Sequence, residues 1–234
     1  MRFWRATIMT LAVGATGAAW VPPPSPRLVV AELFTSQGCS SCPPADALLR
    51  ELAGRPDVLA LGFHVTYWNS LGWADPYSLP AATARQQHYA GLLGDDSVYT
   101  PELVVDGRQG VVGSDRDAVL AALSAASVRS GTQPSLTVSG AGGEIVVTVS
   151  GAAAPVPPAS VVAIGFDLEH RTPVGRGENA GRSLLEANIV RAVTPIGLWA
   201  GGAGVIHAGR PAGDRVAVLL QAADGHILAA TRLP

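Results

Sequence analysis

Leu28 to Phe34 is a short apolar run broken only by Glu32, and through Thr35–Gly38 it leads into Cys39-Ser-Ser-Cys42-Pro43-Pro44. Beyond the prolines, Ala45, Leu48, Leu49 and Leu52 recur at i, i+3, i+4 and i+7, and Gly54 follows as a stop. That spacing predicts an amphipathic helix of about three turns. A strand with little polar alternation is one covered on both faces. The chain is therefore committed to a sheet with helices packed on it, and a Cys-x-x-Cys pair stands where the first strand turns into the first helix.

The following segments continue the alternation of strands and helices. Val58 to Val65 reads as a second buried strand, and Pro80 to Leu93 as a weaker helix closed by Gly94. Leu103 to Val105 and Gln109 to Val112 flank Asp106-Gly107, a hairpin signal. Ser114 opens a last helix as its cap, with Asp117 three residues on and Val119, Leu123 and Ala126 along one face. The predicted order is β-α-β-α-β-β-α.

Past the polar segment 130–135 the period changes to two. Leu136/Val138, Ile145/Val147/Val149, Val162/Ile164/Phe166/Leu168, Val216/Val218/Leu220 and Ile227/Ala229 all alternate with polar residues. We expect an α/β domain over 28–129, a linker at 130–135 and a small all-β sandwich domain of six or seven strands over 136–234.

The first residues have the layout of an export signal. Arg2 and Arg5 precede an apolar stretch from Ile8 to Ala19, with small residues at Gly17–Ala19 for cleavage. The expectation is a signal peptide at 1–19, a proline-rich leader at 20–27, and a mature chain that is periplasmic or secreted, with no membrane span after cleavage. The stretch is shorter than the ~20 residues of a spanning helix. A net charge of −2 with 15% charged residues gives no basic field for phosphate backbones, so nucleic acid is not an expected partner.

The chain has two cysteines. A disulfide across so small a loop gains little, because chain-entropy stabilisation grows only with the logarithm of loop length. A closed zinc centre would need two more ligands from His64, His88, His170, His207 and His226, which lack paired spacing. Copper held by Cys39, Cys42 and His64 is an alternative, since a soft ion accepts two thiolates and one imidazole. The redox reading uses position: at a helix start, unpaired N–H groups and the positive end of the dipole favour a Cys39 thiolate, and Cys42 can resolve a mixed disulfide. That reading expects Cys39 to be reachable by a partner. A non-catalytic binding protein with an incidental dithiol is a third alternative.

The strand, the Cys-Ser-Ser-Cys-Pro turn, the helix and the order of elements to Ala126 resemble the thioredoxin fold. The resemblance implies thiol-disulfide exchange without a cofactor, and a cis proline facing the dithiol, which falls on Thr100-Pro101 in "VYTPELVVDG". It also suggests Glu32 as a buried acid moving protons for the inner cysteine, beside the alternative of an edge or surface glutamate. More narrowly, "ELFTSQGCSSCPPAD", "HVTYWNSLGWADPYS", "YTPELVVDG" and "PVGRGENAGR" resemble a family of exported bacterial proteins catalogued as domain of unknown function 1223. That family usually carries aspartates where this chain has Thr66 and Asn69.

Among the remaining candidates, Tyr67, Trp68, Trp73 and Tyr77 either line a groove beside the dithiol or anchor a long loop. Arg176, Glu178 and Arg182 either hold a ligand or brace a turn between strands. The sequence thus points to an exported thiol-disulfide oxidoreductase working on another exported protein, with Cys39, Cys42, Thr100, Pro101 and Glu32 as its site.

Overall fold

The computed structural model describes residues 27–128, 134–151 and 157–233. The expected signal peptide and nearly all of the leader, together with most of the expected linker, lie outside the described residues. The elements of the first half run β1 (Val29–Thr35), α1 (Pro43–Ala53), β2 (Val58–His64), α2 (Pro80–Leu93), β3 (Glu102–Val105), β4 (Gln109–Val112) and α3 (Arg116–Ser127), in the order read from sequence. Every residue of β1 and β2 is buried, and the two pair in parallel from Val29↔Val58 to Thr35↔His64. Pro43 and Pro44 occupy the first turn of α1, where a missing N–H costs nothing. The α3 cap is Asp115, whose side chain accepts from the Ala118 N–H, one residue beyond the expected Ser114.

Seven strands follow: β5 (Ser135–Ala141), β6 (Glu144–Ser150), β7 (Ala159–Pro173), β8 (Ser183–Trp199), β9 (Gly204–Gly209), β10 (Arg215–Gln221) and β11 (Ile227–Arg232). They do not stand apart from the first half. One eight-stranded sheet runs β11-β10-β7-β8-β2-β1-β3-β4, and β5-β6-β9 form a second, smaller sheet. The seam is a single parallel pairing, Gly62↔Ile189, reinforced by Asn188 Nδ2 donating to Ala60 O at 2.8 Å. The described residues thus form a mixed α/β fold built on one large sheet, a smaller one and three helices. The expected two layers of the second half exist, but one of them continues the sheet of the first. The physical reason lies in β2, an apolar strand that would otherwise leave an open edge.

Burial follows from the two faces of this sheet. On one face Val30, Phe34, Leu61 and Phe63 join Ile164, Val190 and Leu219 in one cluster with Tyr89 of α2, so that helix serves both halves. On the other, α1 and α3 cover Ala31, Leu33, Ala60 and Leu103, while β5 and β6 cover Val161, Ala163, Val216 and Val218. The β7–β8 hairpin reaches beyond the sheet, and its connection, residues 174–182, reaches the cysteine turn.

Candidate disulfide site

Cys39 and Cys42 are joined in a disulfide, with their Cα atoms 5.4 Å apart. The Cys39 N–H donates to Ser36 O at 3.1 Å, and the Cys42 N–H to Cys39 O at 3.3 Å. Helix α1 begins at Pro43 with Cys42 as its N-cap. The positive end of the helix dipole therefore lies at Cys42, whereas Cys39 is in the preceding turn.

Both cysteines have zero exposure, against the expectation of a reachable Cys39. Two segments pack against the turn that carries them. On one side is the Thr100–Pro101 segment, whose peptide bond is cis. Thr100 O lies 3.9 Å from Cys39 Sγ, Ser41 Oγ lies 3.3 Å from the same sulfur, and Trp68 Nε1 holds Thr100 Oγ1 at 2.8 Å. On the other side is the arm 174–182. There Asn179 Nδ2 donates to both Gln37 O and Cys39 O at 2.9 Å, and Glu178 Oε2 accepts the Ser40 N–H at 3.1 Å. Arg182 braces the arm by donating to Asn179 Oδ1 at 2.9 Å, whereas Arg176 has no part in these contacts.

Glu32 is not at this site. It points to the α2 face, buried, where Arg85 donates to its two oxygens at 2.8 and 3.1 Å and the Tyr89 hydroxyl donates to Oε2. Period-two alternation puts it on the opposite face from Ala31 and Leu33, which meet α1. A sheet therefore separates it from Cys42, and neither the proton-shuttle role nor the surface reading fits.

The acid on the cysteine side is Asp46, one helical turn beyond Cys42 on the same face of α1, with its N–H donating to Cys42 O at 3.1 Å. Thr35 Oγ1 donates to Asp46 Oδ1 at 2.7 Å. Burial, followed by the Glu186 carboxylate, pushes the Asp46 carboxyl up to about 7. Beside it His64 Nδ1 meets Asp75 Oδ2 at 2.7 Å, and Nε2 lies 3.9 Å from Glu186 Oε1. Burial would lower the His64 imidazole, but Asp75 above all, with Glu186 and Asp46, overrides it and lifts it to about 9. Burial likewise opposes ionisation of Asp75, yet His64 and the N–H groups of Gln37 and Tyr77 hold that carboxyl below its usual range. Burial also raises Glu186, against the pull of His64. Gln37 ties the cluster to the cysteine turn, donating to Glu186 Oε2 at 2.6 Å.

With the disulfide formed, the copper set is not assembled. The imidazole nitrogens of His64 face carboxylates, the cysteines are bonded to each other, and no group of three or more His, Cys, Asp or Glu suited to a metal occurs among the described residues. The aromatic residues anchor the loop after β2: Tyr67 on Gln86, Trp73 on Gln37, and Tyr77 stacked on His170 at 4.9 Å between ring centroids. His88, His207 and His226 lie outside the cluster. Asp46 carried a sequence signal, a polar residue among the buried positions of α1. Asp75 and Asn179 lay within the phrases that resemble the family but were not singled out there, and Glu186 carried no signal, because their roles depend on loop and hairpin placement.

Comparison with the curated proteins finds no match. The crystal structure of protein AGR_C_4864 from Agrobacterium tumefaciens is similar, with 33% sequence identity over 88% of this chain and 93% of that one, and a TM-score of 0.76. The profile of the family described as "Protein of unknown function (DUF1223)" matches residues 30–221, from β1 through the cysteine turn and the arm to β10. With that span of both halves in one match, the chain belongs to the DUF1223 family.

Proposed function

We propose that the protein is an exported thiol-disulfide oxidoreductase, thioredoxin-like in its first half, whose Cys39–Cys42 disulfide exchanges with dithiols or disulfides of another exported protein. One observation carries this reading. The disulfide sits at a strand-to-helix junction with four buried ionisable groups, Asp46, His64, Asp75 and Glu186, on its α1 side. A staple of this loop length needs no titratable cluster beside it.

In the oxidising direction a partner thiolate attacks Cys39 Sγ. The Cys39–Cys42 bond breaks, Cys42 leaves as a thiolate, and a mixed disulfide forms. A second partner thiolate then attacks the partner sulfur of that bond and releases Cys39. The partner becomes a disulfide, the protein a dithiol, and the two partner protons end on Cys39 and Cys42. Asp46, one helical turn beyond Cys42 and with a carboxyl that titrates near neutrality, is the group we assign to hand a proton to Cys42. Reduction of a partner is the same path reversed, and relative reduction potentials decide between them.

Because both sulfurs are buried, exchange requires the arm to lift. Asn179 and Glu178 are the side chains that hold it on the turn. Removing the two Asn179 bonds, at ~1 kcal/mol each, makes Asn179→Ala about thirtyfold faster in reduction of the disulfide by dithiothreitol. Insulin reduction by the wild type, lost with Cys39→Ser, is the activity test. The complete burial of the sulfurs favours a second reading, a binding protein with an incidental disulfide. Equal reduction rates in wild type and Asn179→Ala, together with no insulin reduction, would decide for it.

A further inference from the structure

A cleft of about 350 Å³ opens between α1 and the beginning of β8, starting at Pro43, the residue after Cys42. Asp46 and Glu186, 5% and 2% exposed, both line it. Each has a buried carboxylate oxygen with no hydrogen-bond partner, Asp46 Oδ2 and Glu186 Oε1. Buried acceptors normally find a donor, because an unmade bond to a charged group is expensive. His64 does not fill the need: its Nε2 is 3.9 Å from Glu186 Oε1, and its close bond goes to Asp75.

Opposite in charge to this floor are Arg50, Arg171 and Arg182, exposed and lining the same cleft, with Leu184 as apolar wall. The donor set is thus polar in a definite sense, with unmet acceptors deep and guanidinium groups shallow. A plain anion would leave the deep oxygens unmet, and a plain cation would meet three guanidiniums at the entrance. The complementary molecule carries a primary ammonium group and a carboxylate, and the volume suits anything from an amino acid to a small peptide.

We propose that this cleft binds a small zwitterion, an amino acid or short peptide, with its ammonium group on Asp46 Oδ2 and Glu186 Oε1 and its carboxylate on Arg50, Arg171 and Arg182. The site does not depend on the disulfide reacting. Binding has a proton signature. The charged or titratable groups around Asp46 are His64 on β2, Asp75 in the loop after it, Glu186 on β8, Arg171 on β7, Arg182 at the arm and Arg50 on α1 itself. An ammonium group entering among them favours the ionised Asp46, so its proton leaves for the buffer.

The test is calorimetric titration of the oxidised full chain at pH 6.5 with glycylglycine and with L-leucine, in two buffers of different ionisation enthalpy. The controls are N-acetylglycylglycine and N-acetyl-leucine, which lack the ammonium group, and glycylglycinamide and leucinamide, which lack the carboxylate. We expect at least one zwitterion to bind, about tenfold or more tighter than its N-acetyl and amide counterparts, with proton release. Asp46→Asn keeps an acceptor for Thr35 and abolishes the proton release. The exposed Arg171→Ala weakens the zwitterion but not the amide. No binding of either zwitterion up to roughly 10 mM, equal affinity for the N-acetyl forms, or binding unchanged in both variants would overturn the proposal. None of these results bears on insulin reduction, so the redox reading stands or falls separately.

Discussion

Replacing Asp46 by Asn should stabilise the protein increasingly as the pH rises. In the folded chain the carboxyl titrates near 7 instead of the ordinary 3.8, because burial and then Glu186 oppose its charge. An acid whose folded pKa lies above its unfolded one holds a proton that the unfolded chain has already lost. Stability therefore falls between about pH 4 and pH 7 and stays low above that. With those two values, the penalty at pH 8 exceeds that at pH 5 by about 2 to 3 kcal/mol. Asparagine has no such penalty and still offers Thr35 Oγ1 an acceptor. The lost support for the His64 cation subtracts little, since Asp46 is the weakest of the three carboxylates acting on it. Urea denaturation of the oxidised protein, followed by tryptophan fluorescence at pH 5, 6, 7 and 8, measures the difference directly. The variant's advantage over wild type should widen by about 2 kcal/mol or more across that series. A constant difference would mean that Asp46 is ionised in the fold throughout, and its placement as a proton donor to Cys42 would be lost with it.

Three further outcomes follow from the packing. His64→Asn should remove a stabilisation of up to about 3 kcal/mol that is complete below pH 6.5 and lost as the pH passes 9, seen as a flatter stability profile over that window. Arg85→Ala strands the buried Glu32 carboxylate and should cost about 3 to 5 kcal/mol in denaturant titrations, whereas Glu32→Gln should leave the pH dependence of disulfide reduction unchanged. Gly165→Ala would drive a methyl group into the Ala212 carbonyl, which is backbone and cannot step aside. A Tm drop of several degrees is expected, and a neutral result would refute that close approach.

The first half was legible because each of its elements has its own local sign: unalternating strands, a stripe at helical spacing, the Asp106-Gly107 turn. In the second half five strands showed period two, but β8 and β9 did not stand out. Residues 186–190 of β8 are buried in succession, and Pro195 falls inside the strand at a register shift opposite Val162. Both features hide a strand from a rule that looks for alternation. The joining of the halves was invisible, since it turns on a single pairing between residues more than a hundred positions apart. At the site, the cysteine pair was legible from its position in the sequence, whereas Thr100-Pro101 was singled out only through the resemblance to the thioredoxin fold. Glu32 did not hold there because alternation assigns a residue to one of two faces without saying which face the cysteine helix will cover. Asp46 was readable only as an oddity among buried helix positions, and its partners came from a loop and a distant strand.

The seam at Gly62 and Ile189 has a consequence for anyone cutting the gene. Separating the chain near residue 130 would expose β2 on one fragment and β8 on the other as raw, greasy borders. The second fragment would also lose the α2 cover, and the first the arm that is bonded to the cysteine turn. Such pieces should stick to one another and to themselves, and mixing them should restore a soluble whole.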